Sequence, residues 1–315
     1  MIRAVPDTGV GPVPVPGEPE ALAPGLVRLT APNPGLMTGP GTNSYLIGGR
    51  DLVVIDPGPA EDSHLAALLA AVEARGTLRS ILVTHTHLDH APGAAALAEA
   101  TGARVVGFGP AENFAPDLCV RGGWTLTVPG DGAGGSDGPG GSDGAGGDLT
   151  LEAVHTPGHA SDHLCWLLKE SRTLLTGDHI MHGSTVVIRP PDGDLGTYLA
   201  SLDLVRAFDP PIARLAPGHG RLMEKVTDVV DALVAHRLGR HARVADALGA
   251  MGEGTVDELL PEVYADVTEA QLPIAKFSLW AHLRYLAEED RAEPLDVAPG
   301  EDTAETRWRR IRDAA

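Results

Sequence analysis

The sequence predicts an α/β fold followed by a small helical C-terminal part, and three observations carry that expectation. Short apolar runs repeatedly end on a polar or glycine-bearing turn, as in Ile81-Leu82-Val83 before Thr84 and Leu174-Leu175-Thr176 before Gly177-Asp178. The first of these feeds a helix starting near Pro92, and a strand end that feeds a helix is where α/β proteins place their chemistry. From about Lys225 the texture changes to Ala- and Leu-rich helical spacing. At 315 residues the chain exceeds one core of average size, so one large domain and one smaller domain are expected.

Residues 1–24 carry Pro6, Gly9, Gly11, Pro12, Pro14, Pro16, Gly17 and Pro19 and read as an extended tail. The large domain, residues 25–224, opens with Leu26 to Thr30, which alternates as a strand does. Asn33-Pro34-Gly35 is a turn, Gly41 to Gly48 gives a second strand, and Leu52 to Ile55 a third, buried one before Asp56-Pro57-Gly58. Residues 61–75 form an amphipathic helix, and residues 92–101 another that stops at Gly102. Between strands near Trp124–Val128 and Leu149 lies a low-complexity run, residues 130–147. It has no apolar surface to offset its ordering entropy and reads as a flexible hairpin insertion. In the small domain, residues 225–300, a long helix spans Val226 to Met251. A short one follows at Thr255–Leu260, where Thr255 and Glu258 can complete a capping box. A third runs from Gln271 to Asp290, with Phe277, Trp280, Leu283 and Leu286 at helical spacing, read as a small core. Residues 301–315 are a short basic tail in which Arg307, Arg309, Arg310 and Arg312 suggest a solvated helix.

Composition restricts the function classes. A net charge of -19 and an aromatic content of 4% disfavour a polyanion-binding surface. Two cysteines, Cys119 and Cys165, give no disulfide framework and read as buried thiols in a reducing compartment. The N-terminal stretch lacks the apolar core of a signal peptide, and no run approaches the roughly 20 apolar residues of a membrane span. A cytoplasmic location without membrane association is the expectation.

The chemistry concentrates in Thr84-His85-Thr86-His87-Leu88-Asp89-His90, three imidazoles and a carboxylate directly after a strand. Neutral imidazole and carboxylate are the usual protein ligands of zinc. His159 in Thr156-Pro157-Gly158-His159, Asp178 in Gly177-Asp178 and His219 in Pro217-Gly218-His219-Gly220 each stand just past a further strand. Each lies beside a small residue that lets the backbone approach a site closely. His155 and His163 read as supporting or strand residues. His179 and His182 are either substrate-facing or ordinary loop histidines. His64, His236, His241 and His282 fall on helices as packing or surface residues.

The order T-H-x-H-x-D-H, T-P-G-H, G-D and P-G-H-G resembles the signature of the metallo-β-lactamase superfamily. That resemblance implies a four-layer αββα sandwich and two Zn2+ per chain. His85, His87 and His159 would hold the first, Asp89, His90 and His219 the second, and Asp178 would bridge them, with Asp89 and Asp178 the catalytic carboxylates. It further implies that Asp56 braces the ligand loop. Within the superfamily the chain is most similar to the β-lactamase-like protein 2 family, over about residues 25 to 290, through Asn33-Pro34-Gly35, Gly41-Thr42-Asn43-Ser44-Tyr45 and the final helix around Trp280. The appended helices resemble that family's winged helix. Iron flavodiiron enzymes carry Glu where His87 stands, and β-lactam hydrolysis would need a periplasmic address.

The resemblance therefore implies a binuclear zinc hydrolase that uses a metal-bridging hydroxide as nucleophile. An ester, thioester or lactone carbonyl asks for that hydroxide and a polarised oxygen and makes no demand for positive surface. Related fungal enzymes release polyketides from a carrier protein by thioester hydrolysis. The alternative, cleavage of single-stranded RNA, needs a cationic path and stacking residues. A third reading is a non-enzymatic metal-binding interaction protein. The expected partner is a small-molecule or acyl substrate, and a homodimer is left open.

Overall fold

The structure is a computed structural model that describes residues 8–130, 147–298 and 300–311. The chain opens with strands β1 (Gly9–Val10), β2 (Glu20–Ala23), β3 (Leu26–Thr30), β4 (Asn43–Gly48) and β5 (Asp51–Ile55). Helix α1 (Asp62–Glu73), β6 (Thr77–Leu82), α2 (Gly93–Thr101), β7 (Arg104–Gly107), β8 (Leu118–Cys119) and β9 (Thr125–Val128) follow. Next come β10 (Leu149–His155), β11 (Leu164–Leu168), β12 (Thr173–Gly177), α3 (Leu195–Arg206), β13 (Arg214–Pro217) and β14 (Leu222–Met223). The remainder holds α4 (Val226–Met251), β15 (Glu253–Thr255), α5 (Val256–Val263), α6 (Leu272–Glu288), β16 (Ala292–Pro294) and β17 (Arg307–Arg310).

Two seven-stranded sheets stack face to face, one in the order β2-β3-β4-β5-β6-β7-β8 and the other β1-β14-β13-β12-β11-β10-β9. Strand β5 shows why. Its side chains are apolar on both faces, as a strand covered on both sides requires. Leu52 and Val54 pack with Leu68, Val72 and Leu97 of α1 and α2. Val53 and Ile55 instead meet Leu151, Trp166 and Leu175 of the opposite sheet. On the far side of that sheet, Leu167, Leu174 and Leu215 pack under Leu202 and Val205 of α3 and Val229 and Leu233 of α4. The result is the αββα sandwich expected.

Local signals place the element ends. Gly102 stops α2 in the left-handed conformation at φ 70°, where glycine has no Cβ penalty. Thr255 and Glu258 form the reciprocal capping box of α5. Of the residues read as an N-terminal tail, 1–7 lie outside the described residues; within 8–24, β1 pairs with β14 and β2 with β3, each on a sheet edge. The hairpin assigned to residues 130–147 lies, apart from its two ends, outside the described residues. The strands beside it pair antiparallel, with Leu149 opposite Val128.

Beyond Lys225 the three expected helices surround Val244, Leu248, Leu259, Leu279, Leu283 and Trp308. A three-stranded sheet, β15-β17-β16, accompanies them and was not anticipated. The arginine-rich stretch expected as a basic helix is instead its central strand, β17. Its period is two: Trp308 is buried, whereas Arg307 and Arg309 pair outward with Glu258 and Glu293. Arg312 lies outside the described residues. Cys119, expected to be buried, is exposed because β8 is a two-residue edge strand, while Cys165 is buried as expected. Among the described residues no helix is long and apolar enough to cross a membrane.

Two buried polar groups make this packing testable. Asp302 accepts from Trp280 Nε1 at 2.6 Å and from Arg284 at 3.1 Å in the small core. Asp302→Ala leaves a buried indole N–H unpaired and is expected to cost about 1–3 kcal/mol, read as a drop in denaturation midpoint. Burial pulls His64 down from 6.5 to about 4, so the unfolded chain takes up its proton first. Stability from this group is complete above pH 6.5 and is lost as pH falls towards 4. His64→Gln, which can still accept from Ser44 Oγ, should flatten the acid limb of the Tm–pH curve.

Candidate metal centre

All seven sequence-predicted residues meet at one end of the sandwich, past the carboxyl ends of β6, β10, β12 and β13. His85, His87 and His159 bring their ligand atoms within 4.8 Å of one another, as do His85, His90 and Asp178, and Asp89, His90 and His219. The loop after β6 is shaped by Asp56, a buried residue at the end of β5. Its backbone is left-handed at φ 52°, a conformation that an aspartate tolerates better than most residues. One carboxylate oxygen accepts from the Thr84 N–H at 2.7 Å. The other takes the Thr84 hydroxyl and His90 Nδ1–H, each at 2.8 Å. Committing His90 Nδ1 to this bond leaves Nε2 to face the cluster.

The same device recurs around the site. His159 Nδ1 donates to the Val187 carbonyl at 2.6 Å, and His219 Nδ1 to the Gly41 carbonyl at 3.2 Å. Each bond fixes the tautomer and aims the other ring nitrogen inward. His87 presents Nδ1, which lies 3.0 Å from both His85 Nε2 and His159 Nε2. His219 Nε2 stands 3.2 Å from Asp89 Oδ2 and 3.2 Å from Asp178 Oδ1. His90 Nε2 and Asp178 Oδ1 are 3.4 Å apart, yet both are buried without a hydrogen-bond partner. Ring nitrogens converging at such distances, with orphaned buried acceptors between them, fit divalent cations. Five imidazoles and two carboxylates are the donor chemistry that borderline cations prefer.

Protonation agrees. Burial raises Asp89 and Asp178, but the imidazoles around them outweigh it and hold both carboxyls well below the usual range. Burial lowers His159 to about 4 and pushes His85 down as well. Burial also lowers His90 and His219, but Asp89 and Asp178 outweigh it and push both up, His219 to about 9. At neutral pH the cluster thus offers ionised carboxylates, neutral His85 and His159, and protons on His90 and His219 that a cation would displace.

Several residues that hold the site were not legible in the sequence. Asn43 and Tyr45 reach from β4 across to the opposite sheet, where Asn43 Nδ2 donates to the Pro217 and Gly220 carbonyls and Tyr45 Oη to Pro217. Arg28, buried in β3, donates to Gly220 at 2.9 Å and to Glu20 at 2.5 Å. These struts clamp the turn that carries His219. An arginine inside an otherwise apolar strand was the available signal. Arg237 of α4, also buried, donates to the Val186 carbonyl, next to the Val187 carbonyl that orients His159. His163 supports the site as expected, its Nε2 accepting the Asp178 N–H at 3.2 Å. His155 bonds the Ser161 carbonyl, His179 is buried against Tyr198, and His182 packs by Gly9 and Gly220. None of these last three lines the cleft.

That cleft, about 630 Å³, opens over His87, Asp89, His159, Asp178 and His219. Its walls are Met37, Leu88, Val187 and Pro190 on one side and Ile274 and Phe277 of α6 on the other. Phe277 packs against the small core as expected and also lines the cleft. A narrower apolar recess of about 100 Å³ continues from it beneath Met181, Val186 and Ala275.

Residues 37–219 match the metallo-beta-lactamase superfamily, and residues 255–297 match the beta-lactamase associated winged helix domain. The lactamase-like protein adaB of Aspergillus niger is 32% identical over 283 residues, covering 84% of this chain and 81% of that protein. The lactamase-like protein vrtG of Penicillium aethiopicum is 31% identical over 91% of this chain and 88% of its own. An atrochrysone carboxyl ACP thioesterase of Aspergillus fumigatus is 32% identical over 73% of this chain and 67% of its own. Two solved structures share the fold. A metallo-beta-lactamase family protein from Thermus thermophilus aligns with a TM-score of 0.71 at 23% identity, covering 92% of this chain and all of that one. A beta-lactamase domain protein from Burkholderia ambifaria aligns with a TM-score of 0.75 at 19% identity, covering 95% of each.

The Asp56 bonds generate a prediction that activity alone would not read. Asp56→Asn turns an acceptor facing His90 Nδ1–H into a donor, or leaves Thr84 unpaired. Metal affinity should fall by about 10–100-fold, measured by competition with a chromophoric chelator, with native far-UV dichroism retained. Unchanged affinity would mean that the loop holds its shape without Asp56.

Proposed function

The chain belongs to the metallo-β-lactamase superfamily and is a metal-dependent hydrolase, and from that premise we propose a two-zinc hydrolase of acyl thioesters and related esters. The observation that carries the substrate class is the cleft. Its walls are apolar, suited to an acyl group, and among the described residues that line it Arg189 supplies the one guanidinium or ammonium group. The thioesterase name of one relative supports the same class. A nucleic-acid strand would ask for a cationic path, and the net charge is -19.

In this reading His85, His87 and His159 would hold one zinc and Asp89, His90 and His219 the other, with Asp178 available to both. When bound, two such ions lower the pKa of a shared water and polarise the substrate carbonyl. The chain's own residues do the rest. Ile274, Phe277, Met37 and Val187 hold the acyl group and exclude bulk water, which strengthens each charge interaction inside. Asp89 and Asp178, ionised and facing the cleft, orient the attacking water by accepting its O–H. Water adds to the carbonyl carbon and releases a proton to solvent. The carbonyl re-forms as the carbon–sulfur bond breaks, and the sulfur leaves as a thiolate that takes a proton back from solvent, giving free acid and thiol.

The test is release of free thiol from short and long acyl thioesters by zinc-loaded protein, with an unstructured single-stranded RNA as the competing substrate. Thiol release abolished by a chelator and lowered at least about 100-fold by Asp178→Asn is the expected result. RNA cleavage with thioesters untouched would replace this reading with a phosphodiesterase. His87→Ala should lower zinc stoichiometry and rate together, with a stability change within about 1 kcal/mol because its loop stands on a preformed sandwich.

A further inference from the structure

Among the described residues, Arg189 carries its charge over the cleft without a carboxylate partner, unlike several arginines of this acidic chain. Arg206, Arg240, Arg284, Arg307 and Arg309 each reach a carboxylate within 3.1 Å. Arg189, in the loop between β12 and α3, has no carboxylate within 4 Å among the described residues. Its guanidinium carbon instead sits 4.4 Å above the Phe277 ring of α6. Asp192, three residues on, is engaged elsewhere, its Oδ1 accepting from Ser161 Oγ at 2.5 Å. Arg189, Phe277 and Ile274 line the same cleft as His87, His159 and Asp178.

A guanidinium over an aromatic ring is held there by cation–π attraction that uses none of its N–H donors, which stay able to meet an oxyanion. A planar fork of that kind suits phosphate or carboxylate better than a neutral amide. Packing on Phe277 alone would leave a charge over an apolar cleft unused. We infer that Arg189 is the anion subsite of this cleft: it takes an oxyanion carried by the substrate away from the scissile bond, while Ile274 and Phe277 hold the apolar part. This rests on the thioester reading and narrows it to amphipathic, anionic thioesters. The oxyanion is either a phosphate on the thiol arm or a carboxylate on the acyl chain.

The experiment measures binding and turnover separately on the zinc-loaded full chain. Three non-hydrolysable thioethers are titrated by calorimetry: S-hexyl pantetheine, S-hexyl phosphopantetheine, and S-(5-carboxypentyl) pantetheine. One of the two charged ligands should bind about 10–100-fold tighter than the neutral one, and which one identifies the source of the oxyanion. In Arg189→Gln that preference should collapse to under about threefold while the neutral ligand binds as before. Arg189→Lys, which keeps the charge and loses the fork, should recover part of it. The matching thioesters should show the same pattern in KM with kcat little changed. Equal binding of charged and neutral ligands, or a preference that survives Arg189→Gln, overturns the subsite. Thioester turnover without charge preference sinks the subsite and leaves the thioester reading standing. Charge-selective binding without turnover does the reverse, and absence of both removes both.

Discussion

The Asp56 carboxylate is the constraint on which the loop after β6 depends. It ends a strand buried on both faces, in a left-handed conformation, and accepts three hydrogen bonds from Thr84 and His90. Those bonds fold Thr84–His90 back over the sheet edge so that three imidazoles and Asp89 face one point. A buried carboxylate is costly unless its lone pairs are satisfied. Satisfying them is what forces the loop into this shape. Chemistry and stability are thus joined in one side chain that does not itself face the cluster.

The opposite side of the site is held by a second set of buried polar contacts that cross between the sheets. Arg28, Asn43 and Tyr45 stand on one sheet and bond the carbonyls of the turn around His219 on the other. Apolar contacts between stacked sheets are non-directional and leave sliding poorly specified. Hydrogen bonds to particular carbonyls fix the offset between the layers. This matters because the seven residues come from both sheets, and a small slide of one layer over the other would separate them.

The helices after Lys225 are not a separate body set beside the sandwich. Helix α4 contributes Val229 and Leu233 to the sandwich core and Val244 and Leu248 to the small core. Through Arg237 it also holds the loop that orients His159, and through α6 the small core presents Ile274 and Phe277 to the cleft. One continuous helix therefore relates the cleft wall to the His/Asp cluster.

The sequence by itself determined the residue types of the site, the strand ends that carry them, the boundaries of α2 and α4, and the start of α5. Those features are local: imidazoles two to five positions apart, a glycine after a helix, a Thr–Glu capping pair. The αββα layering was legible only through the resemblance that the T-H-x-H-x-D-H, T-P-G-H, G-D and P-G-H-G motifs carry; the apolar run of β5 by itself says that this strand is buried. Only the tertiary structure decided that Arg28 and Asn43 bind carbonyls more than 170 residues away, that Phe277 borders a cleft as well as the small core, and that Arg189 lies over it. Only packing turned Arg307–Arg310 into a strand, because a run of arginines around one tryptophan carries too weak a period to choose between helix and sheet. Contacts that distant have no spacing signature in the chain, because they depend on how two layers meet after each has formed.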